Sequence, residues 1–220
     1  SPLLANIFLH YVLDEWFSDE VQPRLRGPST LVRFADDFVM LFAYKDDAER
    51  VMDVLGKRLG KYGLELHPDK TSMVDFRYKP KPAKDEDDNE LATSFNFLGF
   101  THIWVKSRQG WPTVRQMTAK DRFARARKAI NEQCRKMRHR PIREQHQKLC
   151  RMLKGHFAYF GISGNSQRIG GMKFQTAKIW RKWLSRRSSK SNIPWTAFKE
   201  ILKRFPLPLA RVVHRYAGTL

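Results

Sequence analysis

Acidic side chains nearly vanish from the second half of this chain. Residues 106–220 hold 4 Asp and Glu against 29 Lys and Arg, whereas residues 1–105 hold 18 against 13. The two halves carry +25 and −5, which sum to the net +20. So few carboxylates exclude an ordinary solvated surface of mixed charge. The partner they point to is a polyanion, along which each Lys or Arg at a phosphate releases counterions. A membrane surface is the competing polyanion and fits less well, because the basic half also holds helices with ordinary core faces.

Cysteine is scarce as well. Cys134 and Cys150 are the only two, with no Cys or His partners at metal-finger spacing. They read as small apolar residues of a reducing compartment rather than as a disulfide. No apolar run approaches the length of a membrane span, and no signal peptide is visible. There is no internal repeat. There is also no initiator Met, so the chain reads as a piece of a longer protein. Hydrophobic residues nonetheless make up 41% of the 220, enough for one or two domains with real cores.

One short stretch stands out. Leu31-Val32-Arg33-Phe34 and Phe38-Val39-Met40-Leu41-Phe42 flank the adjacent carboxylates Asp36 and Asp37. Apolar runs of this kind read as buried β-strands, with the acidic pair at the tight turn between them. Two adjacent anions repel, and burying them unpaired costs several kcal/mol. A divalent cation makes such a site tolerable, and Mg²⁺ takes one or two carboxylates plus waters and substrate phosphates. The other pair, Asp46-Asp47, opens an amphipathic helix, where carboxylates suit the positive helix end, and is given no catalytic role.

Before the hairpin, Ser1-Pro2 can cap and start a helix with Leu4, Ile7, Phe8, Tyr11, Val12 and Trp16 on one face. After it, Ala48, Val51, Met52, Leu55, Leu59 and Tyr62 repeat at helical steps over 46–62, and Gly63 ends the run. Leu64–Leu66 and Thr71–Phe76 read as short strands around a turn at His67–Lys70. Lys79–Glu90 reads as a mobile surface loop. Phe95–Val105 reads as strand. Gly110-Trp111-Pro112 is a plausible boundary, beyond which the texture changes to basic helices. One carries Ala119, Phe123, Ala126, Ile130, Cys134 and Met137 as a stripe. A second starts at Pro141, a third runs to about Leu184, and a fourth covers Trp195–Leu202. Pro206-Leu207-Pro208 ends regular structure. The fold class is α+β: an antiparallel sheet with packed helices, then an all-α basic bundle. The domains read as 1–110 and 111–220.

Phe34-Ala35-Asp36-Asp37 resembles the aromatic-Ala-Asp-Asp box of reverse transcriptases. Ser1-Pro2-Leu3-Leu4-Ala5-Asn6 resembles the helix start that precedes that box in bacterial retroelement enzymes. Gly63–Thr71 and Phe97-Leu98-Gly99-Phe100 resemble the next two blocks. In the basic half, Lys154–Ile162 with Gly164-Asn165, Trp180–Arg187 and Pro206-Leu207-Pro208 resemble the thumb of group II intron proteins. The resemblance is therefore to a group II intron reverse transcriptase/maturase, with a partial polymerase palm over 1–110 and a thumb/maturase bundle over 111–220.

That resemblance implies an RNA-directed DNA polymerase in which the primer 3′ hydroxyl attacks the α-phosphate of a dNTP. Asp36 and Asp37 would be two of three palm carboxylates binding two Mg²⁺ ions, and Lys70 a proton donor to the departing pyrophosphate. Ser1, Pro2, Asn6, Phe34 and Ala35 would lie by the nucleotide and template, with Phe34 where the family commonly has Tyr. Leu98, Gly99 and Phe100 would grip the primer, Gly99 because backbone can approach closely where there is no Cβ. Arg122, Arg125, Lys154, His156, Tyr159, Asn165, Arg181, Arg186 and Arg187 would bind RNA. His10, His67, His102, His139, His146, His156 and His214 show no triad or metal spacing and read as structural or RNA-facing.

The implied partners are intron RNA as template, a DNA primer and dNTP, together with an upstream segment or a second copy of the chain. The implied location is the bacterial cytoplasm, in association with RNA, or an organelle. The family's third metal-binding Asp and its fingers lie upstream of residue 1, so the 220 residues alone are expected not to polymerise. The alternative is a non-catalytic RNA-binding maturase that assists intron splicing. A third reading, a basic nucleic-acid-binding domain unrelated to polymerases, leaves Asp36-Asp37 unexplained.

Overall fold

A computed structural model describes residues 2–78, 94–188 and 192–215. Ser1 and the loop expected at Lys79–Glu90 lie outside the described residues. The chain forms two compact units, Ser1–Arg77 and Tyr78–Leu220. The class is α+β, with antiparallel sheets and a helical C-terminal region. The change to basic helices, placed at 110/111 from composition, falls in the turn joining two paired strands.

The first unit opens with helix α1, Pro2–Leu9, which runs directly into a π-helical segment, His10–Val21. The wider turn continues to its end, where the Gln22 amide donates to the Phe17 carbonyl five residues back. It brings Val12, Leu13, Trp16 and Phe17 inward. The single apolar face expected from Leu4 to Trp16 is thus divided, because Leu3, Leu4, Ile7, Phe8 and Tyr11 stay exposed.

Strands β1 (Ser29–Phe34) and β2 (Asp37–Phe42) pair antiparallel, with Phe34 opposite Asp37, so Ala35-Asp36 is a two-residue turn. Ala35 has φ 54, the positive value such hairpin turns require at their first position. The strands are half-buried rather than buried. Leu31, Phe38, Met40 and Phe42 pack inward, while Val32, Phe34 and Leu41 face out. Helix α2, Lys45–Gly60, closes the same core with Leu55 and Leu59. Beyond it the chain turns through Gly63, φ 70, and the Leu64 amide donates to the Leu59 carbonyl. The strands expected at Leu64–Leu66 and Thr71–Phe76 do not form. A strand needs a neighbour for its backbone groups, and β1 and β2 pair only with each other among the described residues.

In the second unit β3 (Ser94–Phe97), β4 (Phe100–Lys106) and β5 (Pro112–Thr118) make an antiparallel meander. Four helices follow: α3 (Lys120–Lys136), α4 (Ile142–Phe160), α5 (Ser166–Leu184) and α6 (Trp195–Arg204). Their buried stripes meet in one core, with Ile130, Leu149, Leu153, Met172, Trp180 and Phe198 at its centre. The α3–α4 turn is tied from inside. Buried Gln145 donates to the Arg138 and Arg140 carbonyls and accepts from Trp180 Nε1 at 3.0 Å. Cys134 and Cys150 are free thiols, and burial pushes Cys134 up to about 12, so it stays protonated. No helix among the described residues is long and apolar enough to cross a membrane.

Candidate functional site

The alternation of β1 sends Ser29, Leu31 and Arg33 inward. A guanidinium at a core-facing strand position needs acceptors, and Arg33 finds four. Its Nε and Nη2 donate to Asp14 Oδ1 and Oδ2 at 2.7 and 2.6 Å, a bidentate fork. Its Nη1 donates to Asn6 Oδ1 at 3.0 Å and to the Ala35 carbonyl at 2.9 Å. One side chain therefore ties α1, the π-helical segment and the acidic turn together. The Arg33 hydrogen bonds hold the Asp14 carboxyl below its ordinary range against the opposing effect of burial.

Asp36 stands in the turn and Asp37 at the first position of β2, both exposed. Neither carboxylate has a hydrogen bond or ion pair with another described residue. This corrects the expectation of a buried pair, since the turn sits at the tip of a hairpin with one open face. Their unspent oxygens are the donor type Mg²⁺ takes. Among the described residues no three His, Cys, Asp or Glu side chains gather to hold a metal. Phe34 is 67% exposed and presents its ring beside the pair. Pro2 is exposed at the start of α1. Lys70 lies exposed on the His67–Lys70 turn, and no bond joins its side chain to Asp36 or Asp37.

The buried member of the two acidic pairs is Asp47, at 1% exposure. Its Oδ2 accepts the Arg26 and Gly27 amides at 3.1 and 3.2 Å, and its Oδ1 accepts Arg50 Nη2 at 2.9 Å. It anchors the loop leading into β1, a structural task its place at a helix start did not reveal.

In the second unit, Leu98 and Gly99 have φ 49 and 78 and make the two-residue turn between β3 and β4. Both values positive is the type I′ pattern. Tyr159 Oη donates to the Leu98 carbonyl at 2.8 Å, and Phe100 stacks on the Tyr159 ring at 5.7 Å between centroids. Thus Leu98, Gly99, Phe100 and Tyr159 are brought together on one corner. Arg122 is close by: a Cβ on Gly99 would meet its Cγ at 3.5 Å.

Arg122, Arg125, Lys154 and Arg186 are exposed on the basic surface. Asn165, Arg187, Arg181 and His156, all expected at RNA, make contacts within the fold instead. Asn165 is fully buried, with Nδ2 donating to Thr118 Oγ1 and the Phe160 carbonyl at 2.8 Å and Oδ1 accepting the Thr118 amide at 3.0 Å. With those bonds made it has no free face, which corrects its assignment to RNA. Arg187 donates to the Arg138 and Arg140 carbonyls at 2.7 and 2.8 Å. Arg181 donates to the Ile193 carbonyl at 2.8 Å and lies 4.5 Å from the Trp195 ring centroid. His156 is half-buried against Phe160, 4.7 Å between centroids, and burial pushes its pKa down. Burial thus disfavours its charged form.

Sequence reasoning missed Arg33, Asp14 and Thr118. The signal for Arg33 was present: a charge at an inward position of an alternating strand demands a partner. Nothing in the local sequence marks Asp14 or Thr118.

Residues 1–102 match the family model described as reverse transcriptase (RNA-dependent DNA polymerase). No curated protein matches the chain. The family match spans the first unit and reaches into β4. It supports a reverse transcriptase domain over those residues.

Proposed function

We propose, from the reverse transcriptase match over residues 1–102, that this chain is the palm and thumb part of a group II intron RNA-directed DNA polymerase. The observation that carries the reading is the Asp36–Asp37 pair at a hairpin tip, its carboxylates bonded to no other described residue, held by Arg33 to the helix bearing Asn6. Asp36 and Asp37 would hold Mg²⁺, with a third carboxylate supplied from outside the described residues. Bound there, Mg²⁺ supplies positive charge for the attacking and leaving oxygens of phosphoryl transfer.

The chain's own residues do the positioning. Arg33 fixes the turn through the Ala35 carbonyl, so the two carboxylates project from one backbone geometry. The exposed Phe34 ring offers an apolar face for the nucleotide. Lys70 delivers a proton to departing pyrophosphate. The Leu98-Gly99 turn, braced by Tyr159, grips the primer end, and Arg122, Arg125, Lys154 and Arg186 meet phosphates. Primer extension on an RNA template with Mg²⁺ and dNTPs tests this. It is run with the chain alone and with the chain joined to an upstream reverse transcriptase segment. Extension by the joined protein and its loss in Asp36→Asn support the reading, and extension that survives Asp36→Asn overturns it.

The second reading is an RNA-binding maturase that assists splicing without polymerising. The 29-to-4 excess of basic over acidic residues in 106–220 favours it. It predicts tight binding of structured intron RNA by a protein inert in primer extension.

A further inference from the structure

Helix α5 carries Gly170-Gly171 in its interior, where glycine is among the poorest helix formers. Packing does not require the first of them: a Cβ on Gly170 would meet no atom within 4 Å. Gly170 is among the residues lining a cleft of ≈ 350 Å³ between α5 and the α6–C-terminal turn. Gly170, Lys173, Phe174 and Ala177 line one side, and Leu202 and Leu207 line the other. Phe174 is 58% exposed, a large aromatic ring kept in solvent at the cleft, with Lys178 Nζ 5.5 Å from its centroid.

The charge around this cleft selects its occupant. Beyond Glu144 the chain has a single acidic side chain, Glu200, and Lys203 binds it at 2.7 Å. Lys173 in the lining and Lys178 beside the Phe174 ring therefore flank an apolar slot whose described lining residues include no carboxylate. An aromatic face beside phosphate-binding cations is the pairing that takes an unpaired nucleobase, stacking it while the backbone is neutralised. We propose that the α5–α6 cleft binds one unpaired base of single-stranded RNA, stacked on Phe174, with Lys173 and Lys178 on the adjoining phosphates. This deepens the RNA-binding part of the proposed function and is independent of polymerisation. Lys173 is the sole polar side chain in the lining, so the site holds a base by its face and accepts any of the four.

The test is fluorescence anisotropy with the whole chain, using single-stranded oligo(U) and oligo(A) of roughly 12 nucleotides and a blunt RNA duplex. Phe174→Ala and Gly170→Leu are each expected to weaken single-strand binding about tenfold, for both sequences, as the loss of one stacked base does. Duplex binding is expected to change by less than about twofold, since a paired base cannot leave its stack cheaply. Gly170→Ala is the folding control, expected to raise the melting temperature by roughly 2–4 °C while still narrowing the cleft. Single-strand binding unchanged in both variants overturns the cleft proposal and leaves the basic-face reading standing, and it is the outcome if an apolar peptide occupies the cleft. Equal losses for duplex and single strand also overturn it. A chain that binds neither RNA overturns both this proposal and the RNA-binding reading.

Discussion

Arg33 shows how much one side chain decides. Its fork on Asp14 is largely buried, and its fourth bond lands on the backbone of the turn that holds Asp36. Arg33→Leu leaves the Asp14 carboxylate half-buried without its partner and is expected to destabilise the first unit by about 2–3 kcal/mol. The sign with pH follows from Asp14, whose carboxyl is held below the ordinary 3.8. The pair's contribution is fully present above that value and is lost as pH falls below it, through the lowered native pKa. Hydrogen exchange of residues 2–60 in urea at pH 7 and pH 3 checks this. The native chain is expected to lose protection in acid, and Arg33→Leu is expected to lose it at both values with a smaller difference between them.

At the scale of elements, two hairpin turns and one latch set the geometry. Ala35 sits at φ 54, a conformation that costs an L-residue about 1 kcal/mol and costs glycine almost nothing. Ala35 is exposed, so its methyl has little packing to lose. Ala35→Gly is therefore expected to keep or raise the stability of the first unit by up to about 1 kcal/mol, read as a shift in thermal midpoint. The latch is Asn165, whose side chain joins the end of β5 to the end of α4 through Thr118 and the Phe160 carbonyl. Asn165→Ala strands the Thr118 amide and hydroxyl in a dry site. A loss of about 3 kcal/mol in denaturant unfolding is expected.

At the scale of the whole molecule, charge is the dominant feature. If about six phosphates are met by the basic half, affinity for RNA is expected to fall roughly 10³-fold between about 50 and 200 mM salt. Binding isotherms across that range check it. A slope near zero would mean that the lysines and arginines merely solvate the bundle. The expected loss in Arg122→Gln is uniform across RNA sequences, because a phosphate contact carries no base information.

Much of this was legible in sequence, and unevenly so. The helices were legible in sequence, since Phe123, Ala126, Ile130, Cys134 and Met137 repeat at helical steps and Pro141 starts the next helix, but β5 falls in the stretch expected to be all helical. The hairpin around Asp36 was legible because a two-residue turn between apolar runs admits few geometries. The strands expected at Leu64–Leu66 and Thr71–Phe76 were not, because a strand exists only with a neighbour, and local pattern does not say whether one is present.

By itself the sequence determined which residues are apolar, at what period, and where turns interrupt them. It also determined the acidic pair and the basic half. Only the tertiary structure decided that Asp47 is buried and Asp36 exposed, that Asn165 is an internal latch, and that Arg33 reaches both Asp14 and the Ala35 carbonyl. The physical reason is range. Periodicity arises from neighbours three or four residues away, whereas the fate of a polar group depends on partners brought from 19 residues away, as in Arg33–Asp14, or from 47, as in Asn165–Thr118.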